Sequence, residues 1–240
     1  YNFYTFGLFA QYIFNFNEKS TIEGGVRMDY NNRYKVNVLP HLAFRQKWNE
    51  IFTSRLNIGM GYKLPTIFQD ESEQARFVQV QGISTAVKPE ISLGGTIDLK
   101  IKLPNFNGLQ VTISQLYFLT QIFRPLVVKE AIDSTVSMLD PVQTSYINAN
   151  GYRRSGGVET GVAFAYRWIS ASVVYTYTDN NQRINGVRSI APLTSKHIVS
   201  FLAGYEIKNF SIGLDVYYYS PVKLSDGRVG RHIWEVGVNA

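Results

Sequence analysis

Along residues 20–30, STIEGGVRMDY, the even positions are apolar or small (Ile22, Gly24, Val26, Met28, Tyr30). The odd positions Thr21, Glu23, Arg27 and Asp29 are polar or charged. An extended chain sends successive side chains to opposite faces, so this pattern predicts a strand with one apolar and one wet side. The same period recurs at 4–16, 38–48, 53–63, 90–103, 109–124, 153–167, 171–180, 196–205, 210–220 and 232–240. It is clearest in EISLGGTIDLKIKL, 90–103, where Ile91, Leu93, Ile97, Leu99, Ile101 and Leu103 oppose Glu90, Ser92, Thr96, Asp98, Lys100 and Lys102. The phase of 109–124 is ambiguous: apolar residues hold odd positions up to Ile113, then also Leu116 and Phe118. This makes about eleven strands and no amphipathic helix.

Most of these segments run 10 to 14 residues, about twice the usual globular strand. A tilted strand crossing a bilayer needs about 9–11 residues. Short connections (NEK, NEIF, PNFNG, WIS, EIKN) alternate with long ones at 31–37, 64–89, 125–152, 181–195 and 221–231. Outer-membrane barrels show this asymmetry, with short turns on one side and long loops on the other. Aromatic residues gather beside the short turns (Phe14, Phe16, Trp48, Phe52, Phe106, Trp168, Tyr205, Phe210), as at a membrane–water boundary. Tyr4, Tyr30, Tyr62, Tyr175 and Tyr177 supply candidates for a second girdle.

The expected fold class is therefore all-β: an antiparallel up-and-down transmembrane β-barrel segment. Ile22, Val26, Leu56, Ile58, Ile97, Leu99, Ile212 and Leu214 are expected to face lipid. Glu23, Arg27, Asp29, Arg55, Asp98 and Lys100 are expected to face a watery or plugged lumen. An unpaired backbone group in hydrocarbon costs several kcal/mol, so such a sheet must close on itself. Eleven is an odd number, whereas bacterial single-chain barrels have even counts, so the segment is expected to be one piece of a larger barrel.

Composition changes this picture little. The 240 residues are 45% apolar and 14% aromatic, carry a net charge of +6 and include no Cys. Without Cys there is no disulfide framework and no thiolate metal site. Lys and Arg are dispersed rather than clustered in a basic stripe, which argues against a nucleic-acid partner. No run approaches the roughly 20 apolar residues of a membrane-spanning helix, and the opening YNFYTFGLFAQYIFNF is a strand pattern rather than a secretory signal.

Candidate chemistry is sparse. His41, His197 and His232 are isolated from one another, so no zinc site is expected. IGMGYKLPT lacks the third Gly and the helix of a phosphate loop; Gly59 and Gly61 fit the inward face of a strand. No Gly-x-Ser-x-Gly element is present. The reading is not an enzyme, with no cofactor. Long loops are where a barrel places recognition. Asp70, Glu71 and Glu73 form an acidic loop run, and Arg153, Arg154, Arg228 and Arg231 (beside His232) flank other loops as candidates for an anionic ligand.

Several stretches resemble the β-barrel of TonB-dependent receptors. FGLFAQYIFNFNEKSTIEGGVRMDYN is similar to the family's phenylalanine-alanine-glutamine strand and its hairpin partner. LPHLAFRQKWNEIFTSRLNIGMGYKLPTIFQ resembles the Pro-led strand, short turn and aromatic-basic-x-Pro-[Ser/Thr] ending, carried by Tyr62, Lys63, Leu64, Pro65 and Thr66. VKPEISLGGTIDLKI resembles the Lys/Arg-Pro-Glu-…-Gly element (Lys88, Pro89, Glu90, Gly95), and NANGYRRSGGVETGVAF the Gly-Val-Glu strand (Gly157, Val158, Glu159).

The resemblance covers nearly the whole chain in order. It implies the C-terminal half of a 22-stranded, plugged barrel in the outer membrane of a Gram-negative bacterium. The partners it implies are outer-membrane lipid, a plug domain of the same chain, the TonB complex and a scarce ligand such as a ferric siderophore, vitamin or glycan. Plug and TonB-contacting segments are not in this sequence. The rivals are another outer-membrane barrel, such as a passive porin, and a soluble β-sandwich carbohydrate-binding module.

Overall fold

The structure, a computed structural model, describes residues 4–66, 79–80, 83–130, 143–190, 194–224 and 227–239. Its strands are β1 (Thr5–Asn15), β2 (Ser20–Asn31), β3 (Lys35–Lys47), β4 (Phe52–Lys63), β5 (Gln79–Val80), β6 (Glu90–Lys102), β7 (Leu109–Phe123), β8 (Leu126–Glu130), β9 (Gln143–Asn148), β10 (Gly151–Tyr166), β11 (Ile169–Ile184), β12 (Val187–Ile190), β13 (His197–Ile207), β14 (Phe210–Tyr219) and β15 (Ile233–Asn239). The main sheet follows chain order, β1-β2-β3-β4-β6-β7-β10-β11-β13-β14-β15, with every pairing antiparallel. These eleven strands are the eleven the alternation predicts. The remaining short strands lie within the connections: β12 extends β11 as a hairpin, and β5, β9 and β8 form a small separate sheet. β1 and β15 end the order unpaired with each other, so the sheet is a partial barrel.

Register fixes the faces. Phe44 pairs Ile22 and Leu56, Leu56 pairs Ile97, and Ile97 pairs Tyr117, so these residues share one face across five strands. Tyr117 in turn pairs Val158, which resolves the phase of β7: its odd positions join the aliphatic face, and Leu116 and Phe118 turn to the other. Little of either face is covered. Buried hydrophobic residues among those described are few, namely Val87, Leu126, Tyr146, Ala149 and Ala171. A soluble sandwich would hide an aliphatic face of this size between two sheets. Here Val26, Leu56, Ile58, Ile97, Ile212 and Leu214 are exposed, and Ile22 and Leu99 half-buried.

The short connections are tight turns. Asn17 Oδ1 accepts from Lys19 N and Ser20 N, both at 2.8 Å. Asn49 Oδ1 accepts from Ile51 N at 2.9 Å and Phe52 N at 2.7 Å. Both are side-chain-capped turns of the kind Asn favours. The connection expected to be long at 31–37 is instead a three-residue turn, 32–34. Asn31 Oδ1 accepts from Arg33 N (2.9 Å) and Tyr34 N (3.1 Å), and Lys35 enters β3 with φ 62°.

Candidate functional site

The polar face is the concave one. A hollow of about 680 Å³ opens on it, lined by Glu23, His41, Arg45, Arg55, Asn57 and Thr96 among others. Glu23 is the centre of one cluster: Gln11 Nε2 donates to its Oε1 at 2.9 Å, and His41 Nε2 lies 3.2 Å from the same oxygen. The His41 ring lies over Gly25, where any Cβ would collide with it, so this glycine is needed for the contact.

A second cluster sits nearer the long connections. Arg27 Nε donates to both Asp29 oxygens (2.8 and 3.1 Å), and Tyr62 OH donates to Asp29 Oδ2 at 3.0 Å. Asp29 is 1% exposed. Alternation assigns Tyr62 to the aliphatic face beside Ile58 and Met60, as part of the second girdle. Tyr62 keeps its place opposite Ile91 on β6, and its hydroxyl reaches Asp29 where the β3–β4 ladder has stopped at the His41–Gly59 pair, next to Pro40, which has no N–H to donate.

Glu23, Arg27, Asp29, Arg55, Asp98 and Lys100 all fall on this concave face by register; Arg55 is directly opposite Asp98, and Lys100 opposite Thr53. Among the described residues Arg45, Arg55, Asp98 and Lys100 form no ion pair within 4.0 Å. Their charges are left for water or for another stretch of polypeptide.

The loop end is tied together by polar bonds around a small core of Val87, Leu126 and Tyr146, with Ile83 packed against it. Glu90, 6% exposed, accepts from Leu126 N at 2.7 Å. Asn148 receives Lys88 N (2.7 Å) and donates to Lys88 O (3.0 Å) and Arg124 O (3.1 Å). Arg33 donates to Ile83 O. The Lys88-Pro89-Glu90 element thus clamps two long connections to one another, and β8–β9 builds on the clamp. Alternation did not reveal Leu126, Tyr146 and Asn148 as a unit, because their partners lie about 20 to 60 positions away in sequence.

Asp70, Glu71 and Glu73 lie outside the described residues. Arg153 and Arg154 are not brought together. Arg153 donates to Gln182 Oε1 (3.2 Å) and Leu126 O (3.3 Å), on the concave side. Arg154 points to the opposite face, where it donates twice to Gln121 Oε1 (3.1 and 2.7 Å). Arg228 and Arg231 are exposed in the connection before β15. Outside the strands, burial raises the Tyr34 phenol above its ordinary value, and the hydrogen bond from Lys47 holds the Glu50 carboxyl below its own. Among the described residues no group of three His, Cys, Asp or Glu side chains is placed to hold a metal ion.

A family model described as TonB dependent receptor-like, beta-barrel, matches residues 1–232. A comparison with curated protein sequences finds no match. Among solved structures, the siderophore receptor PirA from Acinetobacter baumannii is similar at 14% identity and TM-score 0.73, with 98% of this chain and 38% of that one covered. The ferric enterobactin receptor PfeA from Pseudomonas aeruginosa, in complex with BCV-L6, is similar at 14% identity and TM-score 0.71 (98% and 37%). The copper transporter OprC is similar at 14% and 0.67 (98% and 39%). The chain spans well under half the length of these structures.

Proposed function

The chain belongs to the TonB-dependent receptor β-barrel family, and on that premise we propose that it forms the C-terminal half of a plugged outer-membrane barrel for energised uptake of a scarce ligand. The family resides in the outer membrane of Gram-negative bacteria and consists of receptors and transporters rather than enzymes. The observation that carries the reading is the open main sheet with exposed aliphatic residues on one face and unpaired charges on the concave other. The first face suits lipid tails. The second suits a plug domain, with Arg45, Arg55, Asp98 and Lys100 as its partners. The clamp of Glu90 and Asn148 holds the bases of two long connections to one another. A ferric siderophore is the first ligand class to test, and copper, a vitamin or a glycan are the alternatives.

The experiment takes the natural full-length chain. It should fractionate with outer membranes, migrate as a heat-modifiable barrel, and support TonB-dependent growth on one of a panel of ferric siderophores when the gene is the only receptor supplied. Recovery in the soluble fraction would sink the membrane reading. Barrel behaviour with no TonB-dependent uptake of any panel member would sink the transport reading.

A further inference from the structure

Three arginines stand on the aliphatic face at its loop end. Arg154 shares that face with Gln121, which it grips through two hydrogen bonds, and with Tyr152, whose ring lies 5.2 Å from its guanidinium carbon. Tyr152 pairs Arg183, and Arg183 pairs Arg188 across the β11–β12 hairpin. All three guanidinium-bearing residues are exposed, and among the described residues none has a carboxylate within 4.0 Å. Asp179, the nearest acid on this face, is occupied by Lys196 at 3.7 Å and Asn181 at 3.3 Å.

Two like charges directly opposite on a hairpin repel each other. The hairpin does not need them for its shape, since Asn185 (φ 50°) and Gly186 (φ 87°) supply the two left-handed positions of a two-residue turn. An anion between Arg183 and Arg188 removes the repulsion.

The height is also suitable. From Tyr166 at the turn end of β10 to Arg154 is 166 − 154 = 12 positions, which at about 3.3 Å per residue and a tilt of about 40° rises roughly 30 Å. That is about the thickness of a bilayer's hydrocarbon core, so the guanidinium groups emerge at the opposite headgroup layer. Below them Tyr117, Tyr175 and Tyr177 form an outward aromatic belt, with Tyr175 OH and His197 Nδ1 2.8 Å apart.

We infer that Arg154, Arg183 and Arg188 form a docking site for the phosphate of an anionic membrane lipid, on the outside of the barrel and separate from the transport route. Arg154 is held ready by Gln121 and Tyr152, and the Arg183–Arg188 pair closes on the same headgroup. The inference rests on the membrane reading above.

The test reconstitutes the natural full-length chain in nanodiscs of phosphatidylcholine with a minor fraction of phosphatidylglycerol, and counts retained lipids by native mass spectrometry. Each arginine is expected to contribute about a fivefold preference for the anionic lipid. Arg188→Gln should lose about that factor, and Arg154→Gln with Arg183→Gln and Arg188→Gln at least about tenfold. Arg188→Lys keeps the charge and should retain most of the preference. Should the triple variant fail to fold, the preference of the wild type and of Arg188→Gln decides the matter. Equal retention of both lipids by inserted wild-type protein overturns the site while leaving the barrel intact. Displacement of the lipid by millimolar inorganic phosphate overturns it in favour of a soluble-anion site. Failure to insert at all overturns both the site and the membrane reading.

Discussion

Asp29 is an almost fully buried carboxylate in a strand that, apart from Asn31, is at least partly exposed along its length, and it is satisfied by Arg27 and by a tyrosine from two strands away. Removing only the hydroxyl with Tyr62→Phe should destabilise by about 1 kcal/mol in urea unfolding from lipid vesicles, the net worth of one such bond. A larger loss would mean that the ring itself seals the seam left open beyond Pro40. The two faces give a sharper contrast between adjacent positions. Ile97 lies about midway along the apolar band and is 46% exposed, so Ile97→Arg should cost about 2–4 kcal/mol. Leu99→Arg, closer to the turn end, should cost less, and Asp98→Arg on the concave side should leave insertion near wild type. Measurement of folding yield in vesicles ranks the three, and equal yields would contradict the assignment of faces. Alternation alone assigns these positions because β6 has no apolar residue out of phase. It was silent where the phase mixes: Phe9 and Ile13 pair Arg27 and Glu23, so apolar side chains also occupy the concave face.

Among the elements, the eleven long strands are legible because each carries enough alternating positions to set its own phase. The short pieces are not. β12 has four residues and β5 only two, too few for a period of two to be distinguished from chance. The three-residue turn at 32–34 was hidden by NNRYK, a polar run that reads as a loop although Val36 and Val38 already alternate with Lys35 and Asn37 in β3. What makes it tight is a cap on Asn31 that alternation cannot report.

Two element-scale outcomes are expected. Lys208 occupies a left-handed position, φ 48°, in the turn between β13 and β14. Lys208→Gly should stabilise that hairpin by about 1 kcal/mol, the relief of the Cβ clash outweighing the added freedom of the unfolded chain; an unchanged or lower unfolding midpoint in urea would contradict this. Asn148→Ala removes two bonds between the 64–89 and 124–150 connections and a third within the latter. Amide exchange at Lys88 should then accelerate, while amides in the main sheet keep their protection. Unchanged exchange at Lys88 would show that the clamp depends on Glu90 alone.

For the whole molecule, the sheet's two edges set the behaviour. β1 and β15 each present a row of unpaired N–H and C=O groups, which hydrocarbon does not tolerate and which readily pair with other chains. Residues 1–240 produced alone should therefore associate through their edges in detergent, whereas the natural full-length chain should run as a monomer; light scattering separates the two. A monomeric, heat-modifiable 240-residue segment would contradict the partial-barrel assignment. The need for further strands was legible from an odd strand count. The identity of the ligand was not, because it depends on loop side chains brought together by connections that carry no period.

The nearest-neighbour order of the strands has a kinetic consequence. Hairpins can add one after another with little entropy lost at each step, apart from the two connections of more than twenty residues. Joining the first strand of a complete cylinder to its last is the step that brings together the most distant parts of the chain. That seam should set the pace of assembly, and until it shuts, the growing ribbon needs a host that shelters its raw margins.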